Sequence, residues 1–204
     1  MGRKALEKER KQDSDKQLSW VKVLYPYLQE NGLQGITMNE IAKILNKSKT
    51  TVYEYFQSKE EMLNLLIEYK LSSIRDYVPV LKNSSMSFAE RYRWVMKHLT
   101  LHISDVSTLF LSDLKKQHPA LWIKVHQFLD DATRLLEEFY KEGIKRGEFN
   151  DIHPSILSMS DRFFFRALSD PDFLKNENLT LQQAFDQYLA LKFFGLMKKK
   201  SEDT

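Results

Sequence analysis

Three helix starts fall within twenty-two residues of this chain, and that density limits what the segment can become. Thr37 with Glu40 and Ser58 with Glu61 are capping-box patterns, in which a hydroxyl accepts from the backbone three residues on and the acid reaches back. Ser48 between them is a further cap. Ile36 and Ile41 stand where a hydrophobic staple would close over the first box. The spacing predicts two short helices, from Met38 to the Asn46-Lys47 pair and from Lys49 to about Phe56, then a longer one toward Ser73. Ile41, Ala42, Leu45, Val52 and Phe56 would pack the pair together, which is the pattern of a helix-turn-helix.

The rest of the chain has helical period with little punctuation. Glycine and proline number 6 and 5 in 204 residues, and no run of alternating β-branched residues is found, so the fold class is all-α. Apolar positions 18, 21, 24, 25 and 28 predict a first helix beginning near Gln17 and closed at Asn31-Gly32, with Pro26 as an expected kink or early break. Beyond Val78-Pro79, helices are expected at about 88–104, 106–116, 119–146 and 154–169. A last one follows the Thr180/Gln183 capping box toward Lys198. The first sixteen residues alternate in charge and contain little to bury. The expected organisation is a mobile arm over 1–16, an N-terminal three-helix helix-turn-helix domain over 17–73 and a larger helical bundle over 74–204.

Composition excludes several functions. With no cysteine there is no disulfide, no thiol nucleophile and no Cys-ligated metal site. No stretch approaches 18 uninterrupted apolar residues and no signal-peptide pattern opens the chain, so a cytoplasmic protein without a membrane partner is expected. Phosphate-cradling glycine loops, a nucleophile elbow and metal-ligand clusters are also missing, so no cofactor is expected. An all-α enzyme, or a protein-interaction module using the same helical surface, stays open as an alternative.

Charge points to a location. Lys+Arg 31 against Asp+Glu 28 leaves +3, and residues 41–59 hold Lys43, Lys47, Lys49 and Lys59 against Glu54, which is also +3. Lys59 opens a helix, where a cation opposes the macrodipole unless an anion such as phosphate sits there. The second short helix would turn Lys49, Thr50, Thr51, Tyr53 and Tyr55 outward, with Thr51 and Tyr55 four apart on one face. Hydroxyls, a threonine methyl and a lysine are groups that read base edges in double-stranded DNA, though lysines of this kind also make ordinary solvated faces.

The run Ser48-Lys49-Thr50-Thr51-Val52-Tyr53-Glu54-Tyr55-Phe56-Gln57-Ser58-Lys59-Glu60-Glu61-Met62-Leu63, preceded by Gly32, Ile36-Thr37 and Ile41-Ala42, resembles the DNA-binding domain of the TetR family of bacterial transcriptional regulators. The resemblance spans about residues 17–73. It implies that Thr37 and Tyr53 contact the DNA backbone, that Lys49, Thr50, Thr51 and Tyr55 approach bases or phosphates beside Ser48, and that Lys59 holds a phosphate. Asn46 and Thr50 stand where that family usually has glycine. Asparagine tolerates the left-handed turn, whereas Thr50 adds bulk at the groove.

A weaker resemblance in Asp113-Leu114, Pro119 and the Gly143–Gly147 helix end extends to the bundle. It implies a module that binds a small molecule and forms a homodimer through its last two long helices, hence a ligand-responsive repressor on a palindromic operator. Phe164, Phe165, Leu168, Phe185, Leu189, Phe193 and Met197 are the dimer candidates, on helices apolar nearly all round. Trp94, His98, His102, Phe110, Trp122, His126 and Phe163 are candidates to line a pocket for a small apolar or aromatic ligand. Aromatics at helical spacing equally fill bundle cores. His98 and His102, four apart, also have metal-ligand spacing but no obvious third ligand.

Overall fold

Asp13 opens the first helix by accepting a hydrogen bond from the Lys16 amide at 3.0 Å, and α1 runs Ser14–Asn31. The start is therefore one turn earlier than the apolar positions suggest, because the cap precedes them. The computed structural model describes residues 13–168 and 171–197. Most of the expected arm, residues 1–12, lies outside the described residues, as does the expected last-helix end at 198. Pro26 does not break α1. Its missing amide would have bonded the carbonyl of Lys22, and both residues are exposed, so the lost hydrogen bond lies on the solvent face.

Three further helices complete the N-terminal unit: α2 (Met38–Ile44), α3 (Lys49–Tyr53) and α4 (Lys59–Arg75). Trp20, Val21, Leu24 and Leu28 of α1 pack with Ile41, Val52, Phe56, Met62 and Leu66 in one buried cluster. Burying a side chain of this size contributes roughly 1.5–3 kcal/mol, so this cluster holds three short elements that could not persist alone.

The chain continues as α5 (Val78–Leu81), α6 (Phe88–Ile103), α7 (Thr108–Gln117), α8 (Pro119–Lys145), α9 (Pro154–Leu168), α10 (Pro171–Asn176) and α11 (Leu181–Leu196). The sequence reading missed α5 and α10. Proline usually ends a helix, yet Pro79 and Pro171 each lie in the first turn of a short one, where a missing amide costs nothing. Among the described residues there is no strand, only an isolated antiparallel bridge between Phe149 and Met197. Helix α8, about 40 Å long, carries Leu136, Phe139 and Tyr140 into a second core with Phe88, Tyr92, Leu157 and Phe185. Gly143 makes room for this: a Cβ there would lie 2.3 Å from the ring of Phe149, which folds back over the helix and is fully buried. Helix α7 joins the two halves, since Phe110 and Leu114 pack into the N-terminal cluster.

Candidate nucleic-acid interface

The turn of the helix-turn-helix forms as its residues dictate. Asn46 adopts φ 51°, the Lys47 amide reaches back to the Ala42 carbonyl at 2.9 Å, and Ser48 starts α3 by accepting from the Thr51 amide at 3.0 Å. The Ser48 and Thr51 hydroxyls are 2.8 Å apart, so Thr51 is half-buried and engaged with the cap. Lys49, Thr50 and Tyr53 are exposed, with the lysine ammonium 5.8 Å from the tyrosine ring centroid. Thr37 is exposed at the start of α2 in a complete capping box with Glu40.

Tyr55 is a correction. It does not face outward with Thr51 but is 5% exposed, edge-on to Trp20 at 4.9 Å, and its hydroxyl accepts from Lys16 Nζ at 2.9 Å. The reason is that α3 ends at Tyr53, so the i to i+4 phase no longer applies and the chain turns Tyr55 and Phe56 into the core. What Tyr55 does instead is seat the first turn of α1 against the end of α3, and Gln17 adds a bond to its carbonyl at 2.7 Å.

Lys59 is the first residue of α4, half-buried, with Ser58 capping the Glu61 amide at 3.2 Å. Glu61 in turn accepts from the Gln57 amide. The first turn thus mixes the cation with Glu60 and Glu61, and Glu61 is committed to the cap. Lys43, Lys47 and Lys49 are all exposed around the turn. This leaves an edge where cations, hydroxyls and a tyrosine face solvent together, suited to phosphates and to base edges.

The pocket candidates mostly do not meet. One apolar cavity of about 150 Å³ lies between α1, α4, α6, α7, α8, α9 and α11, and of those candidates only Phe110 lines it. Trp94 is exposed and stacks on His98, whose Nε2 lies 3.0 Å from the Ser73 carbonyl oxygen, while His102 Nδ1 lies 2.8 Å from that of His98. Trp122 and His126 meet edge-on at 5.0 Å beside the N-terminal core, and Phe163 is 65% exposed. No group of three or more His, Asp or Glu suited to a metal occurs among the described residues.

The dimer candidates are likewise redistributed. Phe165, Leu168 and Phe185 line the cavity and Leu189 is buried. Phe164 stacks on Tyr188 at 3.8 Å, Phe193 on Tyr92 at 5.9 Å, and Met197 pairs with Phe149. Three consecutive phenylalanines point in three directions on a helix, and only Phe163 faces out. The exposed apolar residues are instead Ile156, Met159 and Phe163 of α9 and Leu191 and Phe194 of α11.

Sequence reasoning also missed two links between the halves. Asp113 of α7 is buried and accepts from the amides of Leu33 at 2.7 Å and Gln34 at 3.1 Å, clamping the turn between α1 and α2. Gly32 beside it has φ 74°, and a Cβ there would lie 2.4 Å from the carboxylate. Lys70 of α4, Asp105 before α7 and Tyr25 of α1 form the second link, at the cavity. A legible signal existed for Lys70, which continues the apolar stripe Leu63, Leu66, Ile67 on α4.

Residues 27–66, the segment holding α2, α3 and their turn, match the family profile described as "Bacterial regulatory proteins, tetR family". The HTH-type transcriptional regulator YvaF of Bacillus subtilis (strain 168) is 20% identical over 170 residues, 83% of this chain and 90% of that protein. The fatty acid metabolism regulator protein of the same organism is 24% identical over 144 residues, 69% and 74% of the two chains. Among solved structures, a TetR transcription regulator from Haloarcula marismortui ATCC 43049 aligns at TM-score 0.71 and 18% identity, covering 91% of this chain and 100% of that one. The helix-turn-helix geometry and the matching profile agree: residues 27–66 form a DNA-binding segment of the TetR-family type and the chain shares the fold of solved TetR-family regulators, which together support a DNA-binding transcriptional regulator.

Proposed function

We propose that the protein is a cytoplasmic, homodimeric repressor that binds a palindromic operator and leaves it when a small apolar molecule occupies the bundle. Residues 17–73 form the DNA-binding part and 74–204 the effector and dimer part. Lys49 and Thr50 approach bases from α3 in the major groove, Thr37 and Tyr53 contact the backbone, Ser48 and Thr51 hold the start of α3, and Lys59 neutralises a phosphate. The observation that carries this reading is the exposed Lys49, Thr50 and Tyr53 edge on a capped helix, within the segment that matches a DNA-binding family.

Release needs a mechanical link, and α7 supports one. Phe110, Leu111 and Leu114 form part of the cavity wall, while Asp113 on the same helix holds the turn that leads into α2. A ligand that prefers a displaced α7 would bias the spacing of the two reading helices, by no more than its difference in affinity for the two geometries. Selection of purified protein on random double-stranded DNA tests the core claim. A palindromic product is expected, and the absence of any enriched site would overturn it. On that product, Lys59→Ala should weaken all sequences about equally and flatten the salt dependence by about one unit of slope. An unchanged slope would contradict the phosphate role.

A further inference from the structure

The cavity has one charged residue in its wall. Lys70 lines it together with Tyr25, Tyr77 and otherwise aliphatic and phenylalanine side chains. The ammonium lies 2.5 Å from Asp105 Oδ1 and 5.1 Å from the Tyr25 ring centroid, and the Tyr25 hydroxyl donates to the same Asp105 oxygen at 3.3 Å. The two partners differ in how they meet water. The Lys70 side chain is 13% exposed, whereas that of Asp105 is 52% exposed.

An ion pair with one dry and one wet member is exchangeable at the wet end, because the exposed carboxylate regains its hydration when it leaves. The lysine cannot be left alone: a cation against an apolar cavity needs an anion. From this geometry we infer that the effector is an amphiphile with an anionic head, whose apolar tail fills the cavity and whose head takes Lys70 from Asp105. The inference rests on the reading of this cavity as the effector site. It names the ligand class and the switch, because Asp105 also holds Tyr25, a residue of α1 inside the N-terminal core. Releasing Asp105 loosens one of the hydrogen bonds between the α6–α7 turn and α1, leaving those of Ser107, whose amide and hydroxyl donate to the side-chain and backbone oxygens of Gln29, each at 2.7 Å.

Octanoate, octan-1-ol and octylamine share a tail and differ in the head, so they separate the two layers of the claim. Calorimetric titration of the full chain should rank octanoate at least tenfold tighter than octan-1-ol, with octylamine weakest. Lys70→Met should abolish that preference, so that octanoate binds the variant no tighter than octan-1-ol does. Asp105→Asn, an exposed change that removes the competing carboxylate charge, should tighten octanoate several-fold and leave octan-1-ol unchanged. Binding of all three with equal affinity, or a preference that survives Lys70→Met, would overturn the anionic head and keep the effector cavity. Binding of none of them would overturn both.

Discussion

His118 shows how a single side chain reports on the junction of the two halves. It ends α7 and precedes Pro119, is 8% exposed, and its Nε2 has no hydrogen-bond partner among the described residues. Burial holds the imidazole below its ordinary 6.5, and the nearby Lys59 pushes the same way against weaker opposition from Glu60 and Asp113. The folded state therefore keeps this histidine neutral where the unfolded chain would bind a proton. Stability contributed by the neutral form is present above 6.5 and is lost as pH falls below it, because the unfolded state then takes up the extra proton. Between about pH 7.5 and about pH 5.5 the urea midpoint of the native protein should fall more than that of His118→Gln, which cannot titrate. Equal falls would show that His118 contributes nothing to the acid response.

Helices α9 and α11 carry charges on faces that otherwise read as core. The buried side of α11 runs Phe185, Leu189, Lys192, Leu196, and that of α9 runs Leu157, Asp161, Phe165, Leu168. Lys192 Nζ donates to the Leu157 carbonyl at 2.6 Å, to Ser160 Oγ at 2.7 Å and to Asp161 Oδ1 at 2.7 Å, while the Tyr140 and Tyr188 hydroxyls donate to the same carboxylate. Burial pulls the lysine pKa down and Asp161 pulls it back up. Lys192→Met would strand a carboxylate in the core and should cost about 3–5 kcal/mol in urea unfolding, whereas the paired change Lys192→Met with Asp161→Leu should recover most of it. A single variant within about 1 kcal/mol of the native protein would refute the pairing. These elements also mark what the sequence revealed. Thr37, Ser58 and Thr180 announced the starts of α2, α4 and α11 because a cap is local chemistry, and the periodicity of α4 and α11 would have flagged Lys70 and Lys192 as charges on apolar stripes. Tyr55 was misread because no local signal told where a five-residue helix stops. The cavity was not legible because seven helices, from Tyr25 to Phe185, must assemble before it exists.

At the scale of the whole molecule the open question is what covers the outer faces of α9 and α11. Ile156, Met159 and Phe163 fall at helical spacing on α9, Leu191 and Phe194 on α11, and Phe194 is 79% exposed although both helices already bury their inner faces. Apolar side chains grouped this way on adjoining helices favour a second copy of the chain, since a two-fold axis sets each such face against its own equivalent. A palindromic site asks for the same symmetry, as two reading helices must meet two half-sites at once. Phe163→Asp with Phe194→Asp tests this with little risk to the fold, because exposed substitutions usually shift stability by less than about 0.5 kcal/mol. If these side chains sit at an interface centre, each substitution should weaken association by about 2 kcal/mol or more, so the native chain should sediment at about twice 24.2 kDa and the double variant near 24.2 kDa. Its circular dichroism should be unchanged, while its affinity for the selected palindrome falls toward that for a half-site. A double variant that keeps both the native mass and the native affinity would move the dimer interface away from α9 and α11.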